Sequence, residues 1–260
     1  MEVVNQSLID ATLVAVSGHS PFTIGSALGY QTEREYWQME RIPEPDLMND
    51  AAQAQAYAEA DFEQPHQYCL QLLQQSLPHL PQAGIALDLG CGPADITLRF
   101  ATAFPHWHVD GIDGSAAMLH YGKVAVQRAQ LSDRISLYEV YLPEGEVPQT
   151  HYDLIFSNSL LHHLHDPMVL WQAIHRWAKP GAGIFVMDLM RPSSADIAAQ
   201  FVETYAGSEP DILKRDFYNS LCAAYTVAEV QAQLHQAHLS HLQIKPVSDR
   251  HWIVWGTFQR

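Results

Sequence analysis

Hydrophobic positions along the chain fall into two regimes. From residue 85 onward, short apolar runs alternate with longer amphipathic stretches. The runs predict strands at 85–89, 108–113, 134–140, 152–157 and 183–189. The stretches between them predict helices at about 94–104, 115–130 and 167–178. Alternation of strand and helix implies a parallel sheet covered by helices on both faces. Ahead of this core, residues 1–42 crudely follow helical spacing at Leu8, Ile9, Leu13, Val14 and Val16. Pro43 and Pro45 then break the pattern. Further helices are expected over 46–60, capped by Asp46 or Asn49, and over 65–77, ended by Pro78 and Pro81. Behind strand five, residues 195–222 predict a helical insertion. Thr226 and Glu229 open another helix with a capping box, and 242–247 with 252–258 form a hairpin about Ser248-Asp249-Arg250. At the other end of the third core helix, Pro180-Gly181 is the expected stop.

The junction of the first strand and helix carries the chemistry. Leu87-Asp88-Leu89-Gly90-Cys91-Gly92-Pro93-Ala94-Asp95 is an apolar strand, a glycine turn and a helix start. In an open α/β sheet this is where a nucleotide-like ligand sits. Gly90 can take positive φ, and neither glycine has a Cβ to hold a ligand off the backbone. Asp113 closes the second strand, where a carboxylate accepts from both hydroxyls of a ribose. The alternative for Asp113 is a turn-capping role ahead of Gly114. A dinucleotide is the main rival ligand, but Asp95 would face its pyrophosphate as an anion.

Four blocks in order resemble the class I S-adenosylmethionine (SAM)-dependent methyltransferases. They are Asp88 to Ala94, Gly111-Ile112-Asp113-Gly114-Ser115, Tyr152 through His163, and Trp177 through Val186. The similarity spans about residues 60–260. It implies a Rossmann-like doubly wound, mostly parallel seven-stranded sheet with an antiparallel last strand, under a helical N-terminal cap. In domain terms it implies a cap or lid over 1–60 and a SAM-binding domain over 61–260, with the insertion at about 195–222. The cofactor would be SAM, leaving S-adenosylhomocysteine (SAH). Its contacts would come from Tyr57, Asp88, Gly90, Cys91, Gly92, Asp113, Gly114, Met118, Asn158, Ser159 and Leu160. Asp88 would orient the loop and meet the ligand's ammonium group through water, and Tyr57 would reach the cofactor from the helix ahead of the loop. Tyr141 stands near where many relatives carry an acid for the adenine.

The loop after strand four holds His162, His163 and His165, facing the acceptor side. His163 is the candidate general base, with His162 as second choice. His162 and His165 are spaced as a metal pair would be, but no cysteine or second well-spaced ligand supports one, so no metal is expected. Tyr57, Tyr205, Phe217, Tyr218, His251 and Trp252 are candidates to wall an acceptor pocket, of which one or two are expected there.

Charge narrows the acceptor. The 260 residues carry 14 Lys and Arg against 29 Asp and Glu, a net charge of −15. Such a surface repels phosphate backbones, so nucleic acid is not an expected partner. Three scattered cysteines, Cys69, Cys91 and Cys222, form no disulfide framework and fit a reducing, cytoplasmic setting. The apolar stretch Leu8 to Val16 is too short for a membrane span. The expected activity is methyl transfer from SAM to a small-molecule acceptor, with a homodimer left open. Methylation of protein or RNA, and SAM binding without turnover, are the alternatives.

Overall fold

A computed structural model describes residues 39–44 and 51–259, all within the compact unit Tyr36–Arg260. The helix expected at the N-terminus and the caps Asp46 and Asn49 lie outside the described residues, apart from 39–42.

The sheet has seven strands: β1 (Gly84–Leu89), β2 (Trp107–Asp113), β3 (Ile135–Glu139), β4 (Tyr152–Asn158), β5 (Ala178–Leu189), β6 (Gln243–Pro246) and β7 (His251–Thr257). Their order across the sheet is β3-β2-β1-β4-β5-β7-β6. Strands β1 to β5 are parallel, and β7 runs antiparallel to both of its neighbours. Strand order therefore reverses between β1 and β4, which opens a crevice at the carboxyl ends of those strands.

Helices α1 (Ala51–Glu59), α2 (Glu63–Ser76), α3 (Asp95–Ala103), α4 (Ala116–Arg128), α5 (Met168–Trp177), α6 (Ala195–Ala206), α7 (Asp211–Ala223) and α8 (Val227–Gln236) complete the described elements, with a 3-10 turn at Leu161–His163. Alternation along the central strands divides two cores. Ala86, Leu154, Phe156, Phe185, Met187 and Ile253 pack with α2, α3 and α4 through Leu73, Phe100 and Val126. Leu87, Leu89, Ile155, Ile184, Val186 and Val254 pack on the other face with α5 and α8 through Trp171, Ile174, Val230 and Leu234. Side chains of period two on a strand with both faces covered give this arrangement. Buried indole N–H groups find acceptors: Trp171 donates to Gln233 Oε1 at 3.0 Å, and Trp252 to the carbonyl of Tyr225 at 3.2 Å. The capping box at Thr226 and Glu229 forms as the sequence predicts.

Two segments differ from the expectation. Helix α5 ends at Trp177, ahead of Pro180-Gly181, and β5 begins at once with Ala178. Pro180 disfavours helical backbone at Lys179, and a register shift between Tyr152 and Leu154 lets Ala178 pair with β4. Residues 39–44 are neither helix nor strand. Pro43 excludes helix at Ile42, and the segment instead runs as a strap, with Met39 N–H on the Ser193 carbonyl at 3.2 Å and Ile42 N–H on that of Cys222 at 3.0 Å. No described helix is long and apolar enough to cross a membrane.

Candidate active site

The crevice at the β1/β4 reversal widens into a cavity of about 1330 Å³. Its inner end is the turn after β1. Gly90 and Gly92 adopt φ of +73° and +51°. Their N–H groups point at fixed acceptors, Gly90 to the carbonyl of Ile112 at 2.8 Å and Gly92 to Asp113 Oδ2 at 2.8 Å. The two glycines serve different ends. A Cβ on Gly90 would meet Leu160 at 2.9 Å, whereas one on Gly92 would meet no atom within 4 Å. Both need glycine for their backbone; Gly90 is required by packing as well, whereas Gly92 keeps a cradle open. Gly92→Val is expected to abolish SAH binding, read by calorimetric titration, with the circular dichroism spectrum retained. Undiminished binding would show that the cradle is not used. Gly90→Val acts on the fold as well, because it collides with Leu160.

Asp113 ends β2 and braces this turn. Its Oδ1 accepts from Ser115 N–H at 2.7 Å while Oδ2 accepts from Gly92 N–H. These capping contacts leave room for the ligand reading, since each carboxylate oxygen keeps a further lone pair. Burial pushes its carboxyl above the usual range, against those two hydrogen bonds. Asp88 is buried within β1 and accepts from Thr97 Oγ1 at 2.5 Å. Burial, offset only in part by that bond, pushes it up to about 7. Asp95 shares its Oδ2 with His66 at 2.6 Å and Arg99 at 2.7 Å, so its charge is compensated by a fixed cation. Ser115 caps α4 by accepting from Met118 N–H at 3.2 Å, which sets Met118 on the cavity wall.

All eleven residues expected around the cofactor line this cavity: Tyr57, Asp88, Gly90, Cys91, Gly92, Asp113, Gly114, Met118, Asn158, Ser159 and Leu160. Tyr57 reaches it from α1, and burial pushes its hydroxyl up to about 12. Ser159 takes φ +57° as the chain leaves β4, with its N–H on the Met187 carbonyl at 2.9 Å. Tyr141 is half exposed and is not among the lining residues.

The two candidate bases are held differently. His162 is 2% exposed, and its Nδ1 lies 2.6 Å from Asp188 Oδ1 on β5. Asp188 also accepts from Leu161 N–H at 2.6 Å and Leu189 N–H at 2.7 Å. Burial alone would lower the His162 pKa, but the charge and hydrogen bond of Asp188, with the Glu44 charge, together raise it. His162 is thereby a brace of the turn. His163 stands further out, with Nδ1 at 2.5 Å from Glu44 Oε2. Glu44 also accepts at Oε1 from Ser220 Oγ of α7 at 2.7 Å, and its carbonyl lies 3.1 Å from His165 Nε2. Burial would raise the Glu44 carboxyl, but the His163 bond and charge hold it down to about 2. Glu44, His162 and His163 place donor atoms within 4.8 Å of one another, the described set with which a divalent ion could be held. Both Nδ1 atoms are occupied by carboxylates, an arrangement that protons satisfy.

Outward from this turn, the cavity is walled by the insertion. Of the candidate aromatics, Tyr57, Tyr205, Phe217 and His251 line it, more than the one or two expected. Trp252 is fully buried in the core and Tyr218 packs in a small cluster with Phe201 and Leu221. Burial, then Arg250, lowers the His251 pKa to about 4. Sequence reasoning missed Glu44, Ser220 and Asp188. Glu44 sits between two prolines that read only as a break, and nothing local marks the others.

Comparison with known proteins agrees with this geometry. A model described as a methyltransferase domain matches residues 87–184. The chain is 30% identical over 139 residues to a trans-aconitate 2-methyltransferase of Deinococcus radiodurans, covering 53% of this chain and 48% of that protein. It is 26% identical over 163 residues to a 27-O-demethylrifamycin SV methyltransferase of Amycolatopsis mediterranei, covering 62% and 56%. The chain thus spans about half the length of these curated relatives. The solved plantazolicin methyltransferase BpumL, in complex with a triazolic desmethylPZN analogue and SAH, superposes with TM-score 0.61 at 14% identity, over 80% of this chain and 91% of that one. That likeness is one of fold. Residues 87–184 thus match a methyltransferase domain, and the chain is similar to SAM-dependent methyltransferases of class I.

Proposed function

We propose that the protein transfers a methyl group from SAM to a small-molecule acceptor by in-line displacement. The observation that carries this reading is one continuous cavity joining the Gly92 and Asp113 cradle to the His163 turn and on to α6 and α7. When bound, SAM supplies a methyl group on a sulfonium, which needs no further activation. The residues at the inner end fit such a ligand: a backbone turn with room at Gly92, a carboxylate at Asp113 for ribose hydroxyls, and a compensated acid at Asp95 in place of a phosphate site.

What the chain must add is position. Holding two reactants collinear is worth ~7–11 kcal/mol of barrier. Tyr57 on α1 and Phe217 on α7 both line the cavity. In this reading α1 and the 39–44 strap act as the lid, with residues 61–260 as the SAM-binding domain. His163 serves as general base where the acceptor is protonated. Two relatives named for small acceptors support a small acceptor here, as does the net charge of −15.

The test is transfer of a deuterated methyl group from SAM into a metabolite extract, followed by mass spectrometry of the small-molecule and macromolecule fractions. Label in a small molecule is the expected result. Label confined to protein or RNA would overturn the acceptor class, and SAH binding without any transfer would leave a SAM-binding protein. Deleting residues 1–42 removes Arg41, whose guanidinium bonds the carbonyls of Ala223 at 2.6 Å and of His162 and Leu164 at 3.0 Å. The truncated protein is expected to bind SAH yet lose transfer. Full transfer would show that the strap is not part of the working site.

A further inference from the structure

We propose that Glu44 is a positioning residue that fixes the tautomer of His163, so that His163 Nε2 takes the proton of a hydroxyl acceptor, an alcohol or a phenol. The inference rests on the methyl-transfer reading and names its substrate class.

Glu44 reaches the site on a segment fastened on either side of His163 and to the end of α7. Arg41 threads its guanidinium between three backbone carbonyls and lies 4.1 Å over the Tyr225 ring. With Met39 and Ile42 also bonded to the body, the strap ends with the Glu44 carboxylate in place. That side chain is 10% exposed and both of its oxygens are used, one on α7 through Ser220 and one on His163. Taking a carboxylate out of water is expensive, and here it is spent on one imidazole nitrogen and one hydroxyl.

An anionic acceptor at Oε2 requires the proton on Nδ1, which in the neutral imidazole leaves Nε2 with its lone pair. Among the described residues Nε2 has no hydrogen-bond partner, and His163 lines the cavity. His163 and Asp113 line the same cavity. The other groups around His163 are the His162 ring, at 4.0 Å, and the Glu44 pair itself.

This arrangement discriminates between acceptors. A carboxylic acid is already ionised near neutral pH and needs no base, whereas an alcohol or phenol keeps its proton. An oriented, carboxylate-backed imidazole is useful only to the second kind. In the step, a lone pair of the acceptor oxygen forms the bond to the methyl carbon. The carbon–sulfur bond breaks with its electrons going to sulfur, giving a methyl ether and SAH. The hydroxyl proton passes to Nε2, and the imidazolium, paired with Glu44, returns it to water.

The experiment uses protein labelled with 15N-histidine, as wild type, Glu44→Gln, Glu44→Asp and His163→Gln, the last to assign the signal. Long-range proton–nitrogen spectra should show His163 as the Nδ1–H tautomer in wild type and Glu44→Asp, and shifted toward Nε2–H in Glu44→Gln. The Nε2–H form in wild type, or an unchanged spectrum in Glu44→Gln, would overturn the positioning role. 4-Nitrophenol, offered at a pH below its own ionisation, is the acceptor probe. It should bind wild type as the coloured phenolate, at least tenfold less as phenolate in Glu44→Gln, and not as phenolate in His163→Gln. Neutral binding or none in wild type would overturn the hydroxyl class. Zinc titration that removes the Nδ1–H signal at micromolar metal would assign these atoms to an ion instead. Wild type that fails to bind SAH would overturn the methyl-transfer reading itself, which these spectra do not require.

Discussion

Asp113→Ala should weaken SAH binding by about 2–4 kcal/mol, roughly 30- to 700-fold, because it removes two charge-assisted acceptors at once. The carboxylate holds Gly92 N–H and Ser115 N–H, and its remaining lone pairs face the cavity. Alanine loses the ligand contact and also leaves the Gly92 amide without its acceptor, so the cradle loosens. Isothermal titration of the variant against wild type reads the change. Asp113→Asn separates the two contributions, since its single amide oxygen can hold one of the backbone donors but offers no anion to ribose hydroxyls. An Asp113→Ala affinity within twofold of wild type would remove this residue from the cofactor site.

His163→Ala should cost about 10²-fold or more in turnover with SAH affinity unchanged, the signature of a group that acts in the transition state alone. The residue has the geometry for it: one nitrogen held by Glu44 and a ring on the cavity wall. The measurement is the rate of labelled methyl transfer at saturating SAM, beside a titration with SAH. An equal rate would mean that the acceptor arrives deprotonated. A parallel loss of SAH affinity would place His163 on the cofactor instead. His162 is the contrasting case. Its pairing with Asp188 is buried, so His162→Ala should lower the melting temperature as well as the rate.

The cofactor end was legible because its information is local. Nine consecutive residues from Leu87 to Asp95 encode strand, turn and helix, and Asp113 follows one crossover later. The apolar runs of β1, β4 and β5 are nearly continuous because both faces are covered, so those strands stand out in the chain. The acceptor end was not legible in the same way. Glu44 and His163 are 119 residues apart, and Glu44 and Ser220 are 176 apart. No spacing rule links positions that only the fold brings together. Pro43 and Pro45 suggested a break between parts, whereas the extended backbone that proline favours is what lets the strap lie along the body. Phe217 and Tyr218 illustrate the same limit. Both pack against the small cluster between α6 and α7, yet only Phe217 also lines the cavity.

The account stands on the claim that the cradle at Gly92 and Asp113 takes an adenosyl sulfur ligand, and direct titration of the wild-type protein tests it. Saturable binding of SAH at a single site, with no heat from NAD under the same conditions, is the predicted result; binding of NAD, or none of SAH, would contradict it.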